Sequence, residues 1–354
     1  MGNVTEHAKQ ETKMRTKLVI LSSMIIGLLA GLISPNPATA ETALKFSLDF
    51  IMFGPNSPFV YADEHGYFKE AGLSVKIDPS SGSGDAINRL ASGAYDIGYA
   101  DVSTLIEFAA KNPDAAPKIV LFIQDRTPST ILYRKQKGIA KPKDLEGHSL
   151  GSGATDAGAR MFPTFARLNN IDLGKVDRQI VDFRLRDSMF AQEKFDAIIA
   201  YADSMLNVRT LGLDIAQVGR LDYADWGLNF YGNAMIASRQ LIASNPDAVR
   251  GAVEAAAKAW RDAARDQKPI IDALVKRNSL AKPEVDLERL HFIVANQVIS
   301  PFTRANGIGA VDSKRLDDNL RLVGEGFGLA SVPKRTDIFD ERFLPPPAAR
   351  KFAD

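Results

Sequence analysis

The chain has 354 residues, with 44 Lys and Arg against 43 Asp and Glu, a formal net charge of +1 and no cysteine. This length suggests two or three domains of about 150 residues each, and the balanced charge supplies no field for nucleic acid or an anionic membrane. The lack of cysteine excludes thiol catalysis, disulfides, thiolate metal sites and a lipidated N-terminal cysteine.

Taken in order, Lys13, Arg15 and Lys17 precede an apolar run over residues 18–33, and Ala38-Thr39-Ala40 supplies a small-x-small pattern. This reads as an export segment cleaved after Ala40, since the run is shorter than the roughly 20 residues of a spanning helix. Residues 45–50 form a first strand, and Gly54-Pro55-Asn56 breaks it. Ser57-Pro58 then reads as the N-cap and first residue of a helix that lasts until Gly72. A second strand covers 73–77.

Residues 80–105 hold one complete unit. A Ser/Gly loop (Ser80 to Gly84) leads into a helix with Ala86, Ile87 and Leu90 on one face, Gly93 ends it, and Asp96 opens a short apolar strand. Asp101-Val102-Ser103-Thr104 closes the strand with helix-start chemistry. The unit recurs about a hundred residues later, where Asp196 precedes an apolar strand that ends in Ala202-Asp203-Ser204. In parallel sheets such strand ends face the ligand, so the repeat predicts an α/β chain of two lobes around one cleft.

Between the two copies, a strand at 119–123 gives way at Asp125 to Pro128 to an extended crossing segment at 129–133. Residues 148–151 form a strand, and the loop Ser152-Gly153-Ala154-Thr155-Asp156 opens a helix over 157–168. Strands are expected at 179–181 and 214–218. Residues 222–231 are polar and aromatic together and carry Trp226, Asn229 and Tyr231. After a strand at 234–237 the chain turns helical at 246–265, 270–277, 285–294 and 313–324. These late helices are expected to cover the first lobe. Lobe 1 is then residues 41–126 with 233–354, and lobe 2 is 127–232, with a hinge at two crossings.

Several chemistries are missing. Gly82-x-Gly84 and Gly151-x-Gly153 lack the third glycine of a dinucleotide fingerprint, no Gly-Lys-Ser/Thr follows either, and no Gly-x-Ser-x-Gly elbow occurs. His7, His65, His148 and His291 are scattered without a second ligand at metal spacing. Binding with no cofactor or metal is expected in place of catalysis. Candidate ligand residues are Asp49, Phe50 and Met52 after the first strand, Asn56 and Ser57 at the following helix start, and Ser81, Gly82 and Ser83 in the glycine loop. Asp101 and Val102, Thr155 and Asp156, Tyr201 and Asp203, and Trp226, Asn229 and Tyr231 complete the set. Three carboxylates at strand ends accept hydrogen bonds and repel anions, while aromatic rings offer flat faces. The combination favours a nitrogen heterocycle.

Gly66-Tyr67-Phe68-Lys69-Glu70-Ala71-Gly72-Leu73, Leu90-Ala91-Ser92-Gly93-Ala94-Tyr95-Asp96-Ile97-Gly98, Pro142-Lys143-Asp144-Leu145-Glu146-Gly147 and Phe195-Asp196-Ala197 occur in order. With Asp49-Phe50 and the stretch from Asp225 to Asn233, this run resembles the bacterial solute-binding proteins of ABC importers for thiamine precursors, taurine, sulfonates and nitrate. The resemblance implies a periplasmic-binding-protein fold that closes on a small molecule, a periplasmic location, an inner-membrane ABC permease as partner, and a monomer. Within the class it suggests an aminopyrimidine thiamine precursor, with taurine, alkanesulfonate or nitrate as alternatives. The same family includes pyrimidine synthases with a cysteine-rich iron motif and a lysine-bound pyridoxal phosphate. A chain without cysteine cannot carry that motif.

Overall fold

The computed structural model describes residues 41–154 and 156–352. The export segment and Thr155 lie outside the described residues. Alternating burial of Leu44 and Phe46 in β1 (Thr42–Ser47) and of Leu73, Val75 and Ile77 in β2 (Leu73–Asp78) makes both strands one-sided. They pair in parallel from Thr42↔Leu73 to Ser47↔Asp78. The remaining strands of this sheet are β3 (Ile97–Asp101), β4 (Lys118–Phe122) and β10 (Asn233–Ala237). The order is β2-β1-β3-β10-β4, with β10 antiparallel to both neighbours.

The second sheet is built the same way. Its strands are β5 (Ser129–Arg134), β6 (Ser149–Gly153), β7 (Asp177–Val181), β8 (Ala197–Tyr201) and β9 (Val218–Asp222). The order is β7-β6-β8-β5-β9, with β5 antiparallel to β8 and β9. In each sheet the strand that enters from the other half is the antiparallel one. The repeated aspartates also act alike: Asp96 accepts from Lys45 N at 2.8 Å in β1, and Asp196 accepts from Ser149 N at 3.1 Å in β6. Each therefore ties the start of its own strand to the neighbouring parallel strand, at Lys45 within β1 and at Ser149, the first residue of β6.

Three sequence expectations change. Residues 129–133 are not a crossing segment but the interior strand β5, paired on both edges and carrying the buried Ile131 and Leu132. The strand expected at 214–218 begins only at Val218, since the Asp214 carboxylate accepts from Ala216 N and holds a 3-10 turn there. The last long helix does not cover the first sheet alone.

Ten helices matter below: α1 (Ser57–Glu64), α2 (Ser83–Ala91), α3 (Val102–Lys111), α4 (Ala157–Leu168), α5 (Phe183–Ala191), α6 (Ser204–Thr210), α7 (Pro246–Arg265), α8 (Lys268–Arg277), α9 (Pro283–Ile293) and α10 (Ser313–Phe327). One core gathers Phe46, Phe59 and Tyr99 around the fully buried Trp260 of α7. A second runs from Ile119, Phe122 and Ala234 of the first sheet to Ile131, Ile199 and Leu221 of the second. Leu316, Leu320 and Val323 of α10 join its two ends.

Two crossovers connect the sheets, and they run side by side. Gly232 N donates to Gln124 O at 3.0 Å, Thr127 N to Phe230 O at 2.8 Å, and Asn233 N to Gln124 Oε1 at 2.9 Å. Position 232 must be glycine for this approach, since a Cβ there would lie 2.8 Å from Gln124 Cβ.

Candidate functional site

The parallel strands of both sheets end at one place. Asp49 follows β1, Asp101 ends β3, Asp156 follows β6, and Tyr201 and Asp203 sit at the end of β8. Tyr201 lies within the field of all four carboxylates, and its phenol is held well above its usual range first by burial, then by Asp101, Asp49, Asp156 and Asp203. Asp49 and Asp203 repel one another. Asp49, Tyr201 and Asp203 keep part of their surface accessible although loss of solvent dominates the protonation of each. That combination marks groups that line an enclosed gap.

Asp49 is held from both sides. Its Oδ1 accepts from Asn56 Nδ2 at 3.3 Å and its Oδ2 from Asn233 Nδ2 at 2.6 Å. Burial nevertheless raises its pKa to about 6, against these hydrogen bonds. Tyr99 feels the Asp49 charge and the Tyr201 phenol. The Tyr99 hydroxyl and Asn233 Oδ1 are buried and find no hydrogen-bond partner among the described residues. Two unsatisfied polar atoms beside a carboxylate need a partner from elsewhere.

On the second sheet, Arg186 of α5 gathers the charges. Its Nη1 donates to Asp156 at 2.9 Å, its Nε to Asp187 at 2.9 Å and its Nη2 to Ser204 Oγ at 3.3 Å. Burial alone would lower this guanidinium's pKa, but Asp187 and Asp156 hold it above the ordinary value. Asp203 is raised by burial against the Arg289 charge. Arg289 reaches across from α9 to hydrogen-bond Asn207 of α6, and Arg209 of α6 pairs with Glu288 of α9. On the other side of the gap, Arg160 of α4 pairs with Glu107 of α3. Among the described residues no three carboxylates or histidines are placed to hold a metal ion.

Residues 56–269, more than half of the chain, match the family described as NMT1/THI5 like. The chain belongs to this family. The matched segment of this NMT1/THI5-like chain contains Tyr99, Asp101, Asp156, Arg186, Tyr201, Asp203 and Asn233. It leaves Asp49 before it and Arg289 and α10 after it. The chain is 22% identical to the riboflavin-binding protein RibY of Chloroflexus aurantiacus, over 94% of this chain and 99% of that protein. In structure it is similar to the periplasmic aliphatic sulphonate binding protein SsuA of Escherichia coli, at 16% identity and TM-score 0.64, with 88% and 92% of the two chains covered. It also resembles the ligand binding component of an ABC-type import system from Staphylococcus aureus, at 10% identity and TM-score 0.63, covering 85% and 97%. The fold is the two-lobed periplasmic-binding-protein fold.

In this NMT1/THI5-like site, several expected residues are scaffold. Asn56 is fully buried and places Asp49, since its Nδ2 also donates to Ile51 O at 2.9 Å and its Oδ1 accepts from Phe53 N at 3.1 Å. Ser57 is no N-cap: it is the first residue of α1, and its Oγ donates to Gly54 O at 2.7 Å. Ser83 Oγ accepts from Asp101 N at 3.0 Å, which fixes the strand end, and Gly82 turns the loop at φ +131°. Ser81 is exposed, and its N–H is bound by Asp85 at 3.0 Å. Val102 is core, Met52 packs on the first core, and Phe50 sits half-buried with its ring centre 6.2 Å from that of Phe53, edge to face.

Trp226, Asn229 and Tyr231 do not join the group. Trp226 O accepts from Asn169 Nδ2 at 2.9 Å at the end of α4 that points away from Asp156, and the Trp226 side chain packs on the second core. Asn229 is exposed, and its carbonyl accepts from Arg315 and Asn319. Tyr231 is buried, with its hydroxyl accepting from Asp312 N at 2.9 Å. Tyr231 is therefore held by the start of α10, and Trp226 by the end of α4. Tyr99, Arg186, Asn233 and Arg289 were not anticipated.

Asp101 has a second duty, as its Oδ1 accepts from Thr104 N at 2.8 Å and from Thr104 Oγ1 at 2.9 Å, capping α3. Asp101→Ala is expected to lose about 1 kcal/mol in urea melts, while Asp101→Asn, an equally good cap, stays close to the parent. A groove of about 1000 Å³ lies elsewhere, lined by Lys118, Phe339, Arg342 and Arg350 among others. Lys118 begins β4 at the sheet end opposite Asp101, and these cations are already bound by Thr336 O, Asp340, and Pro345 O with Ile308 O. The groove's cations are thus chemically satisfied.

Proposed function

We propose that the protein is an exported solute-binding protein that captures a nitrogen heterocycle between two lobes and delivers it to an ABC permease. In this reading residues 41–126 and 233–354 form one lobe and 127–232 the other. The observation that carries the ligand class is the ring of Asp49, Asp101, Asp156 and Asp203 around Tyr201. Ionised carboxylates accept hydrogen bonds and donate none, so they suit amino or ring N–H groups and oppose a sulfonate or nitrate. Arg186 does not reverse that sign, because Asp156 and Asp187 already hold it. Tyr201, which keeps part of its surface accessible, adds an aromatic ring beside the acceptors.

An aminopyrimidine thiamine precursor and riboflavin both present such donors on a flat ring. The first is suggested by the family resemblance, and the second is supported by a relative that matches over nearly the whole of both chains. Binding, with lobe closure as its output, is the proposed action; a ligand that bridges both lobes favours closure by its differential affinity for that state. The test is a thermal-shift screen with aminopyrimidines, riboflavin, taurine, alkanesulfonates and nitrate. A true ligand at a hundredfold over Kd stabilises the fold by about 2.7 kcal/mol. A shift with a heterocycle is expected. A shift with taurine or a sulfonate and with no heterocycle would sink the ligand class.

A further inference from the structure

The helix α10 touches both crossovers and, beyond them, α4 of the second sheet. At its first turns, Arg315 holds both crossovers at once: Nε donates to Asn229 O at 3.0 Å, Nη1 to Asp125 Oδ1 at 2.9 Å, and Nη2 to Phe230 O at 3.3 Å and to Asp125 O. The guanidinium carbon also lies 4.0 Å above the centre of the Tyr231 ring. Asn319, one turn on, is buried, accepts from Tyr231 N at 3.0 Å and donates to Asn229 O at 3.2 Å. At the far end Glu325 pairs with Arg167 of α4 at 2.5 Å, and the Arg160 guanidinium lies 4.4 Å over the Phe327 ring. Gly326 lets α4 approach closely, since a Cβ there would sit 2.5 Å from Thr164 Oγ1 and 2.9 Å from Met161 Cε.

We propose that Arg315 clamps the two crossovers to α10, and that α10 acts as a splint that limits how far the two sheets can rotate apart. A planar guanidinium presents five donors in a fixed fork, which is what serving acceptors on two separate chain segments requires. A lysine at 315 has its three donors on one mobile nitrogen and matches fewer of these spread acceptors. The helix is roughly 22 Å long at 1.5 Å per residue, so a clamp at one end becomes a lever at the other. Rotation of the second sheet must slide α4 past Gly326. The hinge is thus a paired ribbon fixed to a rigid arm, and this positioning role involves no contact with ligand.

The absence of cysteine makes a direct test simple. Thiols introduced as Ala94→Cys and Gln192→Cys, exposed positions just after α2 and α5, carry nitroxide labels whose separation reads the angle between the sheets. The label distances of the ligand-free protein are measured by pulsed dipolar spectroscopy, with circular dichroism melts as the check on folding. Arg315→Met is expected to broaden the distribution and lengthen its mean, and Gly326→Val to lengthen the mean by wedging α4 away. A folded Arg315→Met with a distribution that superimposes on the parent's overturns the proposal. Should that variant not fold, Gly326→Val at the partly exposed end of the helix decides, and an unshifted distribution there overturns it. No ligand enters the measurement, so its failure leaves the solute-binding reading standing.

Discussion

Arg186→Met is expected to destabilise the protein by about 3–5 kcal/mol, the cost of removing one partner from a buried ionic group. The guanidinium is nearly enclosed and holds Asp156, Asp187 and Ser204 together. Deleting it leaves Asp187, itself buried, with Asn207 as its remaining partner at 2.8 Å. The Asp156 carboxylate keeps Gly153 N at 3.1 Å and loses its cation. Arg186→Lys is expected to recover only part of the loss, since an ammonium cannot span three acceptors in one plane. Urea denaturation of the three proteins at pH 7 checks this. A Met variant within about 1 kcal/mol of the parent would mean that the three groups are solvated well enough to do without the cation.

Asp49→Asn is expected to act in the opposite direction on stability while weakening ligand binding. The folded-state pKa is raised from 3.8 to about 6, so the native state binds this proton more tightly than the unfolded chain does. The favourable contribution of protonated Asp49 is complete below pH 3.8, declines as pH rises through the window between 3.8 and about 6, and is gone above it. A difference of about two units corresponds to roughly 3 kcal/mol at pH 7. Asparagine removes that titration. It also fits, because the unpartnered Asn233 Oδ1 can turn to accept from the new amide in place of Asn233 Nδ2 donating. The variant is therefore expected to gain up to about 3 kcal/mol at pH 7 and to show a shallower slope of stability against pH between 4 and 6. Losing a charged acceptor is expected to weaken ligand roughly 10- to 100-fold. Urea melts from pH 4 to 7.5 read the first effect, and calorimetric titration with the ligand from the screen reads the second. Parallel stability curves for variant and parent would remove the case for an Asp49 that titrates in the gap.

The strand ends were legible because short apolar runs bounded by glycine and aspartate can only be buried strands, and the repeat of Asp96 to Asp101 at Asp196 to Asp203 sets two of them equivalent. From this came Asp49, Asp101, Asp156, Tyr201 and Asp203, which the structure brings together. The place of β5 in its sheet was not legible, since a run of Ser129 to Tyr133 states that it is extended without naming its neighbours. Tyr99 was passed over for a related reason. Its ring is core while its hydroxyl reaches the gap, and sequence does not separate the two ends of one side chain. Arg186 and Arg289 owe their roles to partners on other elements, as Arg289 of α9 and Asn207 of α6 show. Trp226, Asn229 and Tyr231 looked like a ligand wall because their partners lie far off in the chain, Asn169 for Trp226 and Arg315 of α10 for Asn229 and Tyr231.

The placement of β10 also governs the order in which this molecule can assemble. In the first sheet β3 and β4 have no ladder between them; each is bonded to β10, which supplies the register from Asn233↔Asp101 on one side and Ala234↔Phe122 on the other. A nascent chain that has emerged only as far as residue 232 therefore has β4 without a strand partner and β3 with one bare edge. Pairings across more than a hundred residues are slow to form, because loop closure precedes any gain from contact. The second sheet is complete in sequence by Asp222, whereas the first stays open until residues 233–237 have been made.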